Sequence, residues 1–183
     1  VNSIYKIPML LNEQKVDKIV VNKLNVKCKS PKLGDWKGVV EAEENLAGSI
    51  EIAMVGKYTD FVDAYKSLNE ALIHAGIQNG LTVKINYVDS EYLDAKNVRH
   101  ILKDADAILV PGGFGERGIE GMISAAKYAR VNKVPYLGIC LGMQLLADYG
   151  QEGGERKGLG LVSGTITRLV SAKNARVPHI GWN

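Results

Sequence analysis

The chain has 183 residues, 46% of them hydrophobic and 23% charged, with 23 basic and 20 acidic side chains for a formal net charge of +3. That fits one soluble globular domain with chain to spare, and so mild an excess, spread along the chain, gives no basic stripe for nucleic acid. No apolar run approaches the ~18 residues that span a membrane, and the opening VNSIYKIPMLLNEQ has no cationic region followed by a long apolar one, so no secretory signal is visible.

In chain order, the stretch before Ser49 reads differently from the rest. VNSIYKIPMLLNEQKVDKIVVNKLNV has helix-like apolar spacing broken by Pro8. KCKSPKLGDWKGVVEAEENLAG is charged, carries Pro31 and Gly34, and turns helical from Asp35, a candidate N-cap. No compact core can be assembled from these pieces, which read as a tail or linker. From Ser49 a regular alternation begins. IEIAMVG is a short apolar strand ending at Gly56, and DFVDAYKSLNEALIHAGIQNG follows with Val62, Tyr65, Leu68, Leu72, Ala75 and Gly76 on one helical face. LTVKINYVD is a strand, DAKNVRHILKDA a short amphipathic helix, and DAILVPGG a buried strand running into a glycine turn. GMISAAKYARVNK is a helix, VPYLGI a strand and LGMQLLADYG a helix. Strands alternating with helices through short connections predict an α/β fold: a doubly wound, mainly parallel sheet covered on both faces, with a flavodoxin-like order among the few allowed.

Such sheets bind ligands at the carboxyl ends of their strands. Three loops fall there: GKYTD, PGGFGERG and GICLG. Gly138-Ile139-Cys140-Leu141-Gly142 has the G-x-nucleophile-x-G form of a nucleophile elbow. A nucleophile on a sharp strand-to-helix turn has strained backbone angles, and small residues two positions away permit the close approach. The helix beginning near Leu141 would aim free N–H groups at the site and favour thiolate. Alternatively Cys140 is a small buried core residue. Its only fellow, Cys28, lies far off, and no second Cys or His stands at metal-ligand spacing, which fits a reduced, cytoplasmic protein. Gly112 and Gly113 weigh on the side of the nucleophile. They end the strand expected beside the elbow strand, and an oxyanion formed on a carbonyl needs two N–H donors there, Gly113 and Leu141 being the obvious pair. The loop fits neither the P-loop pattern nor a G-x-G-x-x-G fingerprint.

ILVPGGFGERGIEGMISAAKYARVNKVPYLGICLGMQ resembles the class I (triad) glutamine amidotransferase domain of the CTP synthase family. The likeness runs back through GSIEIAMVGKYTDFVDAYKSLNEALIHAGIQNGLTVKINYVDSE, and SIYKIPMLLNEQKVDKIV…LGDWKGVVE is similar to the end of that family's synthetase domain and its linker. The resemblance implies a division at residue 48: synthetase end and linker over 1–48, amidotransferase domain over 49–183, cut before its catalytic His and Glu. It implies Cys140 as the catalytic nucleophile, Gly113 and Leu141 as oxyanion donors, and Gly113, Leu141, Gly142, Met143 and Gln144 as the residues that hold glutamine. It implies no cofactor or metal in this stretch. ATP, magnesium and UTP would belong to a synthetase domain partner, which takes the ammonia to make CTP. It also admits a GTP effector and a homo-oligomer of the full-length protein.

After Leu146 the likeness changes. QEGGERKGLGLVSGTITRLVSAKNARVPHIGWN is more similar to the glutaminase subunit of imidazole glycerol phosphate synthase. The family's base stands in a His-x-Glu segment. None of the three histidines fits: His74 and His100 fall in predicted helices, and Gly181 stands two residues after His179. The alternatives are therefore a glutaminase of histidine biosynthesis or a non-catalytic fragment or module. Lys57 and Tyr58 are site-wall or capping residues, Glu116 and Arg117 a surface pair or partner contact, and Trp36 and Trp182 packing anchors.

Overall fold

The computed structural model of the chain describes residues 3–57, 62–113, 117–151 and 154–167. By contact it divides into two compact units, Val1–Ile50 with Tyr65–Lys84, and Glu51–Ala64 with Ile85–Asn183.

The first unit is helical: α1 (Ile7–Glu13), α2 (Val16–Leu24), α3 (Gly34–Glu44) and α4 (Lys66–Gln78). Pro8 does not break α1. It sits in the first turn, where its missing N–H is one the helix leaves unpaired anyway. The break falls at Lys15, whose φ of 59° is left-handed. Asp35 is not the N-cap either. Leu33 holds that place and Asp35 lies in the first turn of α3, where its charge suits the positive end of the peptide dipoles. None of α1, α2 and α3 has a fully buried residue. The anchor is Tyr5 in the preceding 3₁₀ turn, only 5% exposed. Its hydroxyl donates to Glu70 of α4 at 3.1 Å, its ring lies 5.0 Å from that of His74, and its carbonyl accepts the Trp36 indole N–H. Trp36, expected as a packing anchor, is itself 38% exposed and is tied to Tyr5 by this hydrogen bond.

The main sheet joins β1 (Gly48–Gly56), β2 (Leu81–Asp89), β3 (Ala107–Val110) and β4 (Tyr136–Gly138) in the order β2-β1-β3-β4. β3 is parallel to both of its neighbours. The unbroken apolar run Ile108-Leu109-Val110 is buried throughout, the mark of a strand covered on both faces. In the second unit α5 (Val98–Leu102) and α6 (Ile119–Asn132) complete the core. On α6, Met122, Ala125, Ala126 and Ala129 are buried, the 3–4 spacing of one helix face. α6 seats closely on the turn after β2, since a Cβ at Gly121 would come within 1.9 Å of the Ser90 carbonyl oxygen.

The last predicted helix is the one correction of element type. α7 spans only Leu141–Gln144, and Ala147–Gly150 is a strand, β5. It is parallel to β7 (Val162–Ile166) and antiparallel to β6 (Arg156–Lys157). The returning chain explains the early stop. The Leu159 N–H takes the Leu145 carbonyl, and the Leu161 and Val162 N–H groups share that of Leu146, at 2.8–2.9 Å. A helix continuing past Gln144 would need those same carbonyls.

Candidate active site

The parallel register aligns Val110 with Gly138, so the loops after β3 and β4 leave the same edge of the sheet side by side. Chain direction reverses immediately after β4. The Ile139 N–H still donates to the Val110 carbonyl at 3.0 Å, and by Met143 and Gln144 the N–H groups point back to the Cys140 carbonyl. Between them Cys140 takes φ 52° and ψ −108°, a conformation costly for a side-chain-bearing residue. The flanking glycines are dictated by this turn. A Cβ at Gly138 would lie 2.4 Å from the Gly142 carbonyl group, and a Cβ at Gly142 would lie 2.1 Å from the Val110 carbonyl oxygen. Both would strike backbone, so the spacing of the pentapeptide is a steric requirement. The Cys140 residue itself is exposed, which removes the reading of a buried core thiol.

The glycine loop after β3 meets this thiol. A Cβ at Gly112 would lie 3.2 Å from the Cys140 Cβ and 3.7 Å from its Sγ. Gly113 turns to the other side of the loop, where a Cβ would lie 3.2 Å from the Lys57 Cδ. Among the described residues, neither the Gly113 N–H nor the Leu141 N–H donates to a main-chain carbonyl. Of the other expected site residues, Leu141 and Gln144 are half-buried, Gly142 is buried and Met143 is 55% exposed.

Residues 60–183 match the family described as glutamine amidotransferase class-I. The chain belongs to the class I glutamine amidotransferases. Among solved structures it is similar to the glutaminase domain of Trypanosoma brucei CTPS with bound acivicin, at 45% identity over 52% of this chain and a TM-score of 0.49. The match spans 38% of the length of that solved chain.

Around the amidotransferase elbow the structure assigns further neighbours. Lys57, at the end of β1, is only 4% exposed and lays its stem under Gly113; it is a buried wall of the loop, not a solvated cap. Arg117 does not simply face solvent: its guanidinium pairs with Glu91 at 2.8 Å and donates to the Lys57 carbonyl at 3.2 Å. Glu91 is not legible as a partner, because nothing in the sequence ties the turn after β2 to the loop after β3. Tyr136 reads in the sequence only as a strand residue. Its hydroxyl donates to the Gly142 carbonyl at 2.9 Å, and burial pushes its phenol up to about 12. His74 packs on Tyr5 and His100 lies in the last turn of α5. Cys28 is an exposed free thiol. Tyr58, Glu116, His179 and Trp182 lie outside the described residues. Among those described, no helix is long and apolar enough to cross a membrane, and no group of three His, Cys, Asp or Glu could hold a metal ion.

Proposed function

We propose that Cys140 of this amidotransferase domain is the nucleophile of glutamine hydrolysis in a CTP synthase, a reaction for which these 183 residues hold no His-x-Glu base. The observation that carries the reading is Gly112, just past the end of β3, lying against an exposed cysteine at positive φ. Attack of the Cys140 sulfur on the side-chain amide carbon forms a tetrahedral oxyanion, to which the Gly113 and Leu141 N–H groups donate. The C–N bond then breaks. The thiol proton ends on the departing nitrogen as ammonia, and a glutamyl thioester remains. Water cleaves it to glutamate and restores the thiol. Leu141, Gly142, Met143 and Gln144, with Gly113, form the wall that holds the substrate.

The CTP synthase assignment rests on the sequence from the GKY loop through GICLGMQ. Residues 1–48 are read with it as synthetase end and linker, and 49–183 as the glutaminase. A synthetase domain partner would receive the ammonia and use ATP and magnesium to aminate UTP, in a homo-oligomeric cytoplasmic protein. The segment VPHIGWN near the end favours a second reading, the glutaminase subunit of imidazole glycerol phosphate synthase. The test of the common core is covalent labelling by a chloroketone analogue of glutamine, with peptide mapping. Labelling at Cys140 that free glutamine suppresses supports it. Labelling confined to Cys28, or insensitive to glutamine, overturns it. Ammonia transfer to UTP on addition of a synthetase domain separates the two pathways.

A further inference from the structure

Tyr136 is the only polar side chain of β4, and its hydroxyl reaches across the elbow to the Gly142 carbonyl at 2.9 Å. The brevity of α7 has left that carbonyl without a helical partner. In a continuing helix it would accept from the Leu146 N–H. That N–H turns instead to the Met143 carbonyl at 3.0 Å, and the Leu145 N–H goes to Leu141 at 3.1 Å. Among the described residues no main-chain N–H donates to the Gly142 oxygen. The Tyr136 hydroxyl replaces the missing donor.

The hydroxyl acts from a firm base. The Tyr136 ring packs against the buried core that holds Val110, Met122 and Ala125. Its target, Gly142, has no room to move toward Val110, whose carbonyl oxygen stands 2.1 Å from where a Cβ would be. The segment so held begins with Cys140 at φ 52° and the Leu141 N–H. A strained angle of that kind persists only where its surroundings over-determine it. We propose that the Tyr136 hydroxyl is a positioning group: it clamps the first turn of α7 and so holds the Cys140 sulfur and the Leu141 N–H in the geometry for attack on the glutamine amide. The inference rests on the reading of Cys140 as nucleophile. Tyr136 touches no substrate and exchanges no proton. Its phenol, pushed up to about 12 by burial, remains a donor at every pH where a glutaminase works.

The experiment compares the 183-residue chain with its Tyr136→Phe variant, and with Tyr128→Phe as the loss of a hydroxyl elsewhere on the same core. Amide hydrogen exchange is followed in peptides covering 134–146 and 119–132, and Cys140 is alkylated by the chloroketone analogue with Cys28 as internal reference. With the clamp hydrogen bond gone, exchange in 134–146 rises about tenfold while 119–132 is unchanged. The maximal alkylation rate of Cys140 falls about tenfold, and the concentration for half-maximal rate stays within about twofold. Cys28 and the Tyr128→Phe chain show neither change. A Tyr136→Phe chain whose 134–146 exchange and Cys140 rate both match the parent overturns the proposal. If parent Cys140 is itself inert, the nucleophile reading fails, and the exchange comparison alone decides the clamp. Should Tyr136→Phe not fold, the parent decides: a slowly exchanging Tyr136 hydroxyl proton in its NMR spectrum supports the clamp, and its absence overturns it.

Discussion

Gly138 and Gly142 at the elbow and Gly34 and Gly38 in α3 are the same residue type under opposite constraints. A Cβ at either elbow position would strike backbone within 2.4 Å, whereas nothing lies within 4 Å of one at Gly34 or Gly38. The regions differ in the same sense throughout. At the elbow, main chain touches main chain, and side-chain identity is fixed by what fits. In α1, α2 and α3 no residue is fully buried, and Leu24 is 67% exposed and Ile19 56%. There the sequence is constrained by helix formation and by a single anchor, Tyr5. The contrast teaches that a short pattern such as GICLG is informative when each position answers to a neighbouring backbone atom. A loose apolar periodicity specifies an element and little more.

The largest expected effect asks whether so well-determined an elbow is sufficient by itself. Expulsion of ammonia needs a proton delivered to nitrogen, and none of the three histidines has an acid two residues on. General acid–base catalysis contributes about 10²–10⁴-fold, and members of a triad act as a unit. The 183-residue polypeptide should therefore release ammonia from glutamine at a rate close to that of its Cys140→Ala variant, even while Cys140 is alkylated. Robust turnover that Cys140→Ala abolishes would place a base within these residues, and His179→Asn would identify or acquit the first suspect.

Gly142→Ala is the next largest. The added methyl meets the Val110 carbonyl oxygen and carbon at 2.1 and 3.0 Å, and neither can shift without breaking the β3–β4 register. Overpacking of this kind costs about 3 kcal/mol. Urea denaturation should show that loss, with Cys140 losing its selective alkylation. A loss under about 1 kcal/mol would mean that the elbow backbone can relax, and that the glycine pattern has another cause.

The same contrast explains what could be read in advance. Ile108-Leu109-Val110, the 3–4 spacing of Met122, Ala125 and Ala129, and the glycines at the strand ends carry the parallel sheet and the elbow openly, because each is a pattern contained within a few consecutive residues. The end of α7 is not legible: Leu145 and Leu146 keep helical spacing, and only the chain returning at 158–162 takes their carbonyls. Nor are Lys57 beneath Gly113, Glu91 on Arg117, or Tyr136 on Gly142. Each is a contact between loops or strands whose proximity follows from topology and leaves no trace in spacing.

A smaller effect compares the two regions through one tyrosine in each. Burial, and then the Glu70 carboxylate, push the Tyr5 phenol up to about 12; burial alone does the same for Tyr136. The unfolded chain gives up these protons near pH 10, the folded chain about two units later. Each phenol therefore contributes stability that is present in full below about pH 10 and is lost as pH rises toward 12. An alkaline absorbance titration should find Tyr5 and Tyr136 ionising late. Tyr5→Phe and Tyr136→Phe should each remove one, and each should flatten the decline of unfolding free energy across that window. Late ionisation that survives both substitutions would assign it to other tyrosines.

The smallest effect has the opposite sign, and it is the counterpart of Gly142→Ala. Gly38 is the fifth residue of α3, exposed, with nothing within 4 Å of the place an added methyl would take. A glycine there gives the unfolded chain freedom that the helix must remove, and alanine has less to lose. Gly38→Ala should stabilise the chain by about 0.5–1 kcal/mol, or about 1–4 °C in melting temperature for a chain of this size. Cys140 alkylation should not change, since Gly38 belongs to the helical unit and Cys140 to the other. The measurement is thermal unfolding of the variant beside Gly142→Ala. A rise in one and a fall in the other would confirm that open space, and not residue type, sets the sign. A fall at Gly38 would show that the open side of α3 is occupied in solution.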